Sequence, residues 1–185
     1  MSKTLIVVAH PNMAGSVVNK RWLAELRKYP ERFTVHDLYA AYPDGKIDVA
    51  AEQARVDAHE NLVLQFPVYW FNCPPLLKQW LDDVLTYGWA YGSKGKALAG
   101  KKTAVAVSLG APAQDYAKDG AVGHTVAEAL RPFELSMNYC NAAHQPMFAF
   151  HTIDSNAGYD AAALQVIEQS AADYLAYLNR LAQAD

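Results

Sequence analysis

The sequence of 185 residues lacks the features that would assign it to a membrane or to a nucleic acid. It has no run of about 18 consecutive apolar residues, so we expect no membrane span. Its formal net charge is −3, and the basic surface that binds nucleic acid is therefore not expected. The apolar run at 5–9 is too short for a secretory signal, which favours a cytoplasmic protein.

The sequence also has few cysteines and no pattern that is typical of metal ligands. Cys73 and Cys140 are far apart and form no CxxC pair, which indicates free thiols in a reducing compartment. His144 and His151 flank the last predicted strand, but neither has a carboxylate or cysteine at ligand spacing, so we predict no metal site. Apolar residues make up 52% and charged residues 19%, which is typical of a globular protein, and we expect one domain over 1–185.

Apolar segments of strand length alternate with helical patterns along the chain. We predict strands at 3–9, 33–38, 61–68, 102–110 and 144–152. We predict helices at 15–29, 48–59, 74–88, 123–140 and 159–183. Pro132 is expected to bend the fourth helix, and Pro146 to make the fifth strand an edge or bulged strand.

Five units of strand followed by helix predict an α/β fold. We expect a flavodoxin-like, doubly wound, five-stranded parallel sheet in the order 2-1-3-4-5, with helices on both faces. In such sheets ligands bind outside the carboxyl ends of the strands, where the strand order reverses between strands 1 and 3. The loops after strands 1, 3 and 4 are therefore the places where a site is expected.

The loop after the first strand has the composition of an anion-binding turn. His10 ends the strand, and Ser16 precedes a helix whose free N–H groups and positive dipole end suit a phosphate. Ser16 and Asn19 can add hydroxyl and amide donors. The loop has neither GxxxxGK[ST] nor GxGxxG, so it matches no triphosphate or dinucleotide motif. The alternative is that Ser16 only caps the helix and that His10 only covers the end of the sheet.

Aromatic side chains follow the third strand in an unusual concentration. The segment from Val68 through Tyr69 and Trp70 to Phe71 comes two residues before a pair of prolines that begin a helix. A flat redox-active ring needs an apolar wall and backbone polar groups along its edge, and this segment can supply both. The alternative is that these aromatics only cover the end of the sheet.

Several segments together resemble one protein family. They are AHP at 9–11, SVVN at 16–19, YPDGKIDVAAEQ at 42–53, FPVYWFNCPPLLKQWLDDVLTYGWAYG at 66–92 and LAGKK at 98–102. In order and content they are similar to the flavodoxin-like NAD(P)H:quinone oxidoreductases. The resemblance is closest to the compact bacterial branch, which includes the general stress protein oxidoreductases and the ancillary flavoprotein of glutathione-regulated potassium efflux.

The resemblance implies a flavin site at these loops. The flavin phosphate would be bound by His10, Ser16, Val17, Val18 and Asn19. The isoalloxazine would be contacted by Pro67, Val68, Tyr69, Trp70 and Phe71 on one side and by Ser108, Leu109, Gly110 and Ala111 on the other. Relatives commonly carry a second glycine where this chain has Ala111. Tyr116 and His124 would be the catalytic pair that supplies a proton to the substrate.

The resemblance also implies an enzyme that passes a hydride from NADPH or NADH through a flavin to a quinone. FMN is the expected cofactor, with FAD as the alternative. Two other functions stay open, namely an ancillary subunit of a potassium-efflux transporter at the inner membrane and a one-electron carrier. The family further implies a homodimer, whose interface would lie near the aromatics Trp80, Tyr87, Trp89 and Tyr91. At helical spacing such aromatics also suit a core.

Overall fold

The computed structural model describes residues 3–151 and 158–183, in which strands and helices alternate. Their bounds in chain order are β1 (Thr4–Val8), α1 (Val17–Leu26), β2 (Phe33–Asp37), α2 (Leu38–Ala41), α3 (Val49–Asp57), β3 (Asn61–Pro67), α4 (Pro75–Val84), β4 (Lys102–Ser108), α5 (Val126–Ala129), α6 (Arg131–Tyr139), β5 (Ala143–His144), β6 (Phe148–Phe150) and α7 (Ala161–Leu181). A short 3₁₀ helix spans Ala113–Tyr116.

The sheet is parallel and has the predicted strand order. β1 lies between β2 and β3, and β4 lies beyond β3, which gives the order β2-β1-β3-β4-β5. The register aligns Val8 of β1 with Gln65 of β3, and Gln65 with Ala106 of β4. The predicted fold class is therefore confirmed, and the carboxyl ends of β1, β3 and β4 lie at one edge.

The main differences from the predicted elements lie near prolines. The predicted fifth strand is split into β5 and β6, which pair with the beginning and the end of β4. Pro146 lies between the two pieces, where it has no N–H to donate to a ladder. The predicted helix at 123–140 is likewise divided into α5 and α6, and Pro132 lies in the first turn of α6.

Two apolar layers cover the sheet, one on each face. Leu5 and Val7 point to the layer that contains Trp80 of α4. Ile6 and Val8 point to the opposite layer, which contains Trp22 of α1. This alternation is the two-residue period of a strand that is buried on both faces. Within the described ranges, no helix is both long enough and apolar enough to cross a bilayer.

A buried carboxylate ties α3 to α4 and to the chain after β2. Glu52 is fully buried; its Oε2 accepts from Trp80 Nε1 at 2.8 Å, and its Oε1 accepts from the Tyr42 hydroxyl at 2.8 Å. Nε2 of His36 lies 2.8 Å from Glu52 Oε1. Burial alone would raise the pKa of Glu52, but the polar groups of His36, Trp80 and Tyr42 outweigh burial and lower this pKa to about 2.

We expect Glu52→Gln to destabilise the fold by about 3 kcal/mol near pH 7, because an amide cannot accept at both positions that face donors. The lowered pKa means that the charge of Glu52 stabilises the fold fully above about pH 5 and progressively less as the pH falls toward about 2. Urea unfolding should therefore show a smaller difference between wild type and variant near pH 3.

A matched control is Glu60→Gln, which changes an exposed carboxyl immediately before β3. Its free energy of unfolding should stay within about 0.5 kcal/mol of wild type. An equal loss in both variants, or a loss at Glu52 that does not shrink in acid, would contradict the assignment.

Candidate functional site

A cavity of about 400 Å³ opens at the carboxyl ends of β1, β3 and β4. The segments that follow β1, β3 and β4 form most of its wall, and Tyr159 completes it. The lining residues are His10, Asn12, Gly15, Ser16, Val17, Val18, Asn19, Pro67, Val68, Tyr69, Ser108, Leu109, Gly110 and Tyr159. None of these side chains is a carboxylate, a lysine or an arginine. An anionic ligand would therefore meet no like charge in the wall, and neutral donors would have to hold it.

The start of α1 provides such donors. Ser16 is the N-cap, and its hydroxyl oxygen accepts from the backbone N–H of Asn19 at 3.2 Å. The next two N–H groups, of Val17 and Val18, belong to the first helical turn and have no intrahelical acceptor. No group within the described ranges accepts from them. The Ser16 hydroxyl proton and these two N–H groups thus form a neutral anion-binding set at the positive end of the helix dipole.

His10 adds a donor of defined tautomer. The backbone N–H of Asn12 donates to His10 Nδ1 at 3.1 Å. Burial lowers the pKa of His10, and Asp37 offsets this only in part, so the neutral ring is favoured. Because Nδ1 accepts a hydrogen bond, the neutral imidazole carries its proton on Nε2, which can donate to a ligand.

A chain of buried amides lies beneath this wall. Gln65 Nε2 donates to Asn19 Oδ1 at 3.1 Å, and Asn19 Nδ2 donates to Ser108 Oγ at 3.0 Å. Gln65 is 0% exposed and Asn19 is 1% exposed. The chain crosses from β3 through α1 to the end of β4, so it joins the three elements that form the cavity.

The aromatic segment after β3 forms a tight reverse turn. Tyr69 and Asn72 exchange backbone hydrogen bonds of 2.8 and 3.0 Å around Trp70 and Phe71. Trp70 has φ +48° and Phe71 has φ +60°. Positive φ at both central residues is typical of a type I′ turn, for which asparagine and glycine are favoured and bulky residues are strained. Trp70 and Phe71 therefore adopt a backbone conformation that is unfavourable for bulky side chains.

Trp70 and Phe71, the two central residues of the turn, are not among the residues that line the cavity. Trp70 is 94% exposed and Phe71 45% exposed, and neither side chain lines the cavity. The expected contact of Trp70 with a cofactor ring therefore stays a prediction. Phe71 instead contacts the ring of Tyr116, with centroids 6.3 Å apart.

The loop after β4 brings Tyr116 beside a histidine other than the one expected. The rings of Tyr116 and His151 lie 5.8 Å apart, and His151 Nδ1 donates to the carbonyl of Ala111 at 3.3 Å. His124 is exposed, and its Nδ1 lies 3.9 Å from the carboxylate of Glu128. Burial raises the pKa of Tyr116, and Asp115 adds to the effect. The structure thus places His151 next to Tyr116, and the catalytic pairing of Tyr116 with His124 stays a prediction.

Most of the residues expected at a cofactor site come together at the cavity. Those that line it are His10, Ser16, Val17, Val18, Asn19, Pro67, Val68, Tyr69, Ser108, Leu109 and Gly110. Those that do not are Trp70, Phe71, Ala111, Tyr116 and His124. Within the part of the chain that the structure describes, no group of three or more His, Cys, Asp or Glu side chains is arranged to hold a metal ion.

The sequence reasoning missed three residues of the wall, namely Asn12, Gly15 and Tyr159. Tyr159 precedes Asp160, the N-cap of α7. Its position just before the last predicted helix could have identified Tyr159, since the helix after the last strand must begin at the same sheet edge as the site. Asn12 Oδ1 accepts from the N–H of Gly15 at 3.1 Å, a local turn that residue types alone did not reveal.

Comparison with known proteins agrees with this geometry. A family model described as a flavodoxin-like fold matches residues 2–178. One similar structure is the crystal structure of general stress protein 14 from Treponema denticola in complex with FMN. Its sequence is 64% identical to this chain, its TM-score is 0.92, and the match covers 97% of this chain and 99% of that chain. These matches confirm the family resemblance inferred from the sequence.

Two further relatives are similar to this chain. The structure of an NADPH-quinone reductase from P. pentosaceus is 29% identical, with a TM-score of 0.81 and coverage of 99% of both chains. The glutathione-regulated potassium-efflux system ancillary protein KefG of Cronobacter sakazakii is 43% identical over 139 residues, which are 75% of each protein.

We expect Trp70→Asn to raise the free energy of unfolding of the FMN-free protein by about 1 kcal/mol, because asparagine tolerates the left-handed backbone and the exposed indole loses little packing. Urea unfolding measures this gain. Tyr87→Asn is the matched control, since Tyr87 is 72% exposed and its φ is not positive. A gain of the same size in the control, or a loss at Trp70, would contradict backbone strain at the turn.

Proposed function

Because the chain belongs to the flavodoxin-like family that its residues 2–178 match, we propose that it is an FMN-dependent NAD(P)H:quinone oxidoreductase. The observation that carries the proposal is the cavity at the carboxyl ends of β1, β3 and β4, whose wall offers neutral donors and an apolar edge. Its agreement with a relative that is 64% identical and complexed with FMN supports the choice of cofactor. A bound FMN would accept a hydride from a nicotinamide and pass two electrons to a second substrate.

The residues of the cavity fit the parts of FMN. The phosphate would be held by the N–H groups of Val17 and Val18, the Ser16 hydroxyl and His10 Nε2. The ring would lie between the segments that follow β3 and β4. Among the described residues nothing accepts from the backbone N–H groups of Gly110 and Ala111, and these donors could stabilise negative charge on a reduced ring.

The identity of the reductant and of the electron acceptor is inferred from a similar protein. The relative named as an NADPH-quinone reductase supports NADPH and a quinone, and NADH is the alternative reductant. FMN is preferred over FAD because the similar complex contains FMN.

Tyr116 is the candidate proton donor to the quinone oxygen. Its raised pKa keeps the phenol protonated over the neutral pH range, so the hydroxyl can donate. His151 lies next to it, and its Nδ1–H is committed to the Ala111 carbonyl. That hydrogen bond fixes the imidazole in the tautomer whose Nε2 is free to accept or relay a proton.

A second candidate function is that of an ancillary subunit of a potassium-efflux transporter. The observation that favours it is the 43% identity to KefG over 75% of both chains. The two functions are compatible, because a flavin site and a docking surface can occupy different faces of one fold. Under this proposal the protein would be cytoplasmic and would reach the inner membrane only through its partner.

The homodimer also stays a prediction. Tyr87, Leu135 and Tyr139 are exposed, and the rings of Tyr87, Tyr91 and Tyr139 follow one another at 5.8 and 5.5 Å. This apolar surface, together with the partly buried Trp89, supports an interface in the region that the sequence suggested.

Purified protein that has been incubated with FMN and desalted should be yellow. Under anaerobic conditions NADPH should bleach it, and a quinone should restore the colour, because the flavin then receives and loses two electrons. A visible absorbance spectrum measures each step, with buffer in place of quinone as the control. A protein that stays colourless would contradict the proposal that it binds FMN. A yellow protein that NADPH does not reduce would favour a one-electron carrier.

Tyr116→Phe should lower quinone turnover about tenfold or more without weakening FMN binding, because the ring stays and only the proton donor is lost. Steady-state kinetics and an FMN titration measure the two effects. His151→Gln should also lower turnover, whereas His124→Gln is the matched control and should not. Unchanged turnover in Tyr116→Phe would contradict its role, and a loss in His124→Gln that is absent in His151→Gln would favour the pairing expected from the sequence.

A further inference from the structure

Gln65 is a buried polar residue in an otherwise apolar part of the central strand. All seven residues of β3 are buried, and the neighbours Leu64 and Phe66 belong to the apolar core. The side-chain amide of Gln65 reaches Asn19 through Nε2, but its Oε1 is buried and has no partner among the described groups. A buried acceptor that makes no hydrogen bond destabilises the fold. Gln65 is therefore not explained by stability alone.

The direction of the hydrogen bonds determines what Ser108 can do. Gln65 donates to the Asn19 carbonyl, so the Asn19 amide nitrogen faces Ser108 and donates to its Oγ. A hydroxyl that accepts in this way keeps its own proton free, and no described group accepts that proton. Ser108 lines the cavity, so its remaining donor is available to a ligand there.

The reverse direction is disfavoured by the burial of Gln65. If Ser108 donated to the Asn19 carbonyl, the Asn19 amide would have to donate to Gln65 Oε1. Both protons of Gln65 Nε2 would then be buried without an acceptor, and unpaired buried N–H groups are rarer in proteins than under-satisfied carbonyls. Gln65 thus biases the orientation of Asn19, which in turn biases Ser108 toward donating into the cavity.

We propose that Gln65 is a positioning residue that acts through Asn19 to present the Ser108 hydroxyl as a hydrogen-bond donor to the bound flavin nucleotide. This inference rests on the proposed function, because it takes FMN as the ligand of the cavity. Gln65 itself lies behind the wall and is not among the residues that line the cavity. Its effect on the ligand therefore has to pass through Asn19 and Ser108.

The test is a double-mutant cycle on the dissociation constant of FMN, measured by quenching of flavin fluorescence with FMN-free protein. Ser108→Ala should weaken FMN binding about fivefold, the value of one neutral hydrogen bond. Gln65→Met, which has nearly the shape of glutamine, should weaken it about two- to threefold, because Asn19 then adopts both orientations. In the double variant the Gln65 change should have no further effect, since the Ser108 donor is already absent.

Thr4→Val is the matched control, because the Thr4 hydroxyl accepts from Asn61 at the opposite end of the same two strands. This variant should lose stability in urea and bind FMN as wild type does. Gln65→Leu repeats the cycle if Gln65→Met does not fold.

Three outcomes would overturn the proposal. FMN binding that is unchanged in the Gln65 variants would show that the amide does not act on the ligand. Losses that add in the double variant would show that Gln65 acts independently of Ser108. Wild-type protein that binds no FMN would overturn the proposed function and this inference together, whereas the first two results leave the proposed function intact.

Discussion

The parallel pairing of β1, β3 and β4 is the constraint on which the site depends. Since all three strands run in the same direction, the loops that follow Val8, Pro67 and Ser108 emerge at one edge. The helix α1 begins at the same edge, so its unpaired N–H groups face the cavity rather than solvent on the other side. No single loop forms the cavity, and a shift of one residue in either pairing would turn Gln65 to the opposite face of the sheet.

The sequence was sufficient to predict the fold and most of the cavity wall for a physical reason. Strand order follows from alternation and crossover rules, and the residues next to each strand end are then placed by chain continuity. This reasoning located His10, Ser16 and Ser108. It could not locate His151 beside Tyr116, because that contact joins segments from different strands. It also missed the exposure of Trp70, which depends on the φ values of a two-residue turn.

Stability and function are distributed unevenly over the molecule. Glu52 satisfies donors from Tyr42 and Trp80 and holds α3 against α4, and these helices lie away from the cavity wall. Near the cavity the opposite holds, since Trp70 and Phe71 occupy strained backbone and Gln65 leaves an acceptor unpaired. Such departures from the most stable arrangement are commonly found at sites that bind a ligand. The carboxylate network therefore adds stability to the same fold in which the cavity region is not optimised for stability.

The division of the last strand into β5 and β6 has a consequence for the behaviour of the protein in concentrated solution. A long, regular outer strand offers a continuous row of N–H and C=O groups to which a strand of another molecule can add. Here the outer positions consist of a two-residue and a three-residue piece, separated by a segment that contains Pro146. Neither piece is long enough to template an added strand, so this side of the sheet is protected against β-mediated aggregation by its own irregularity.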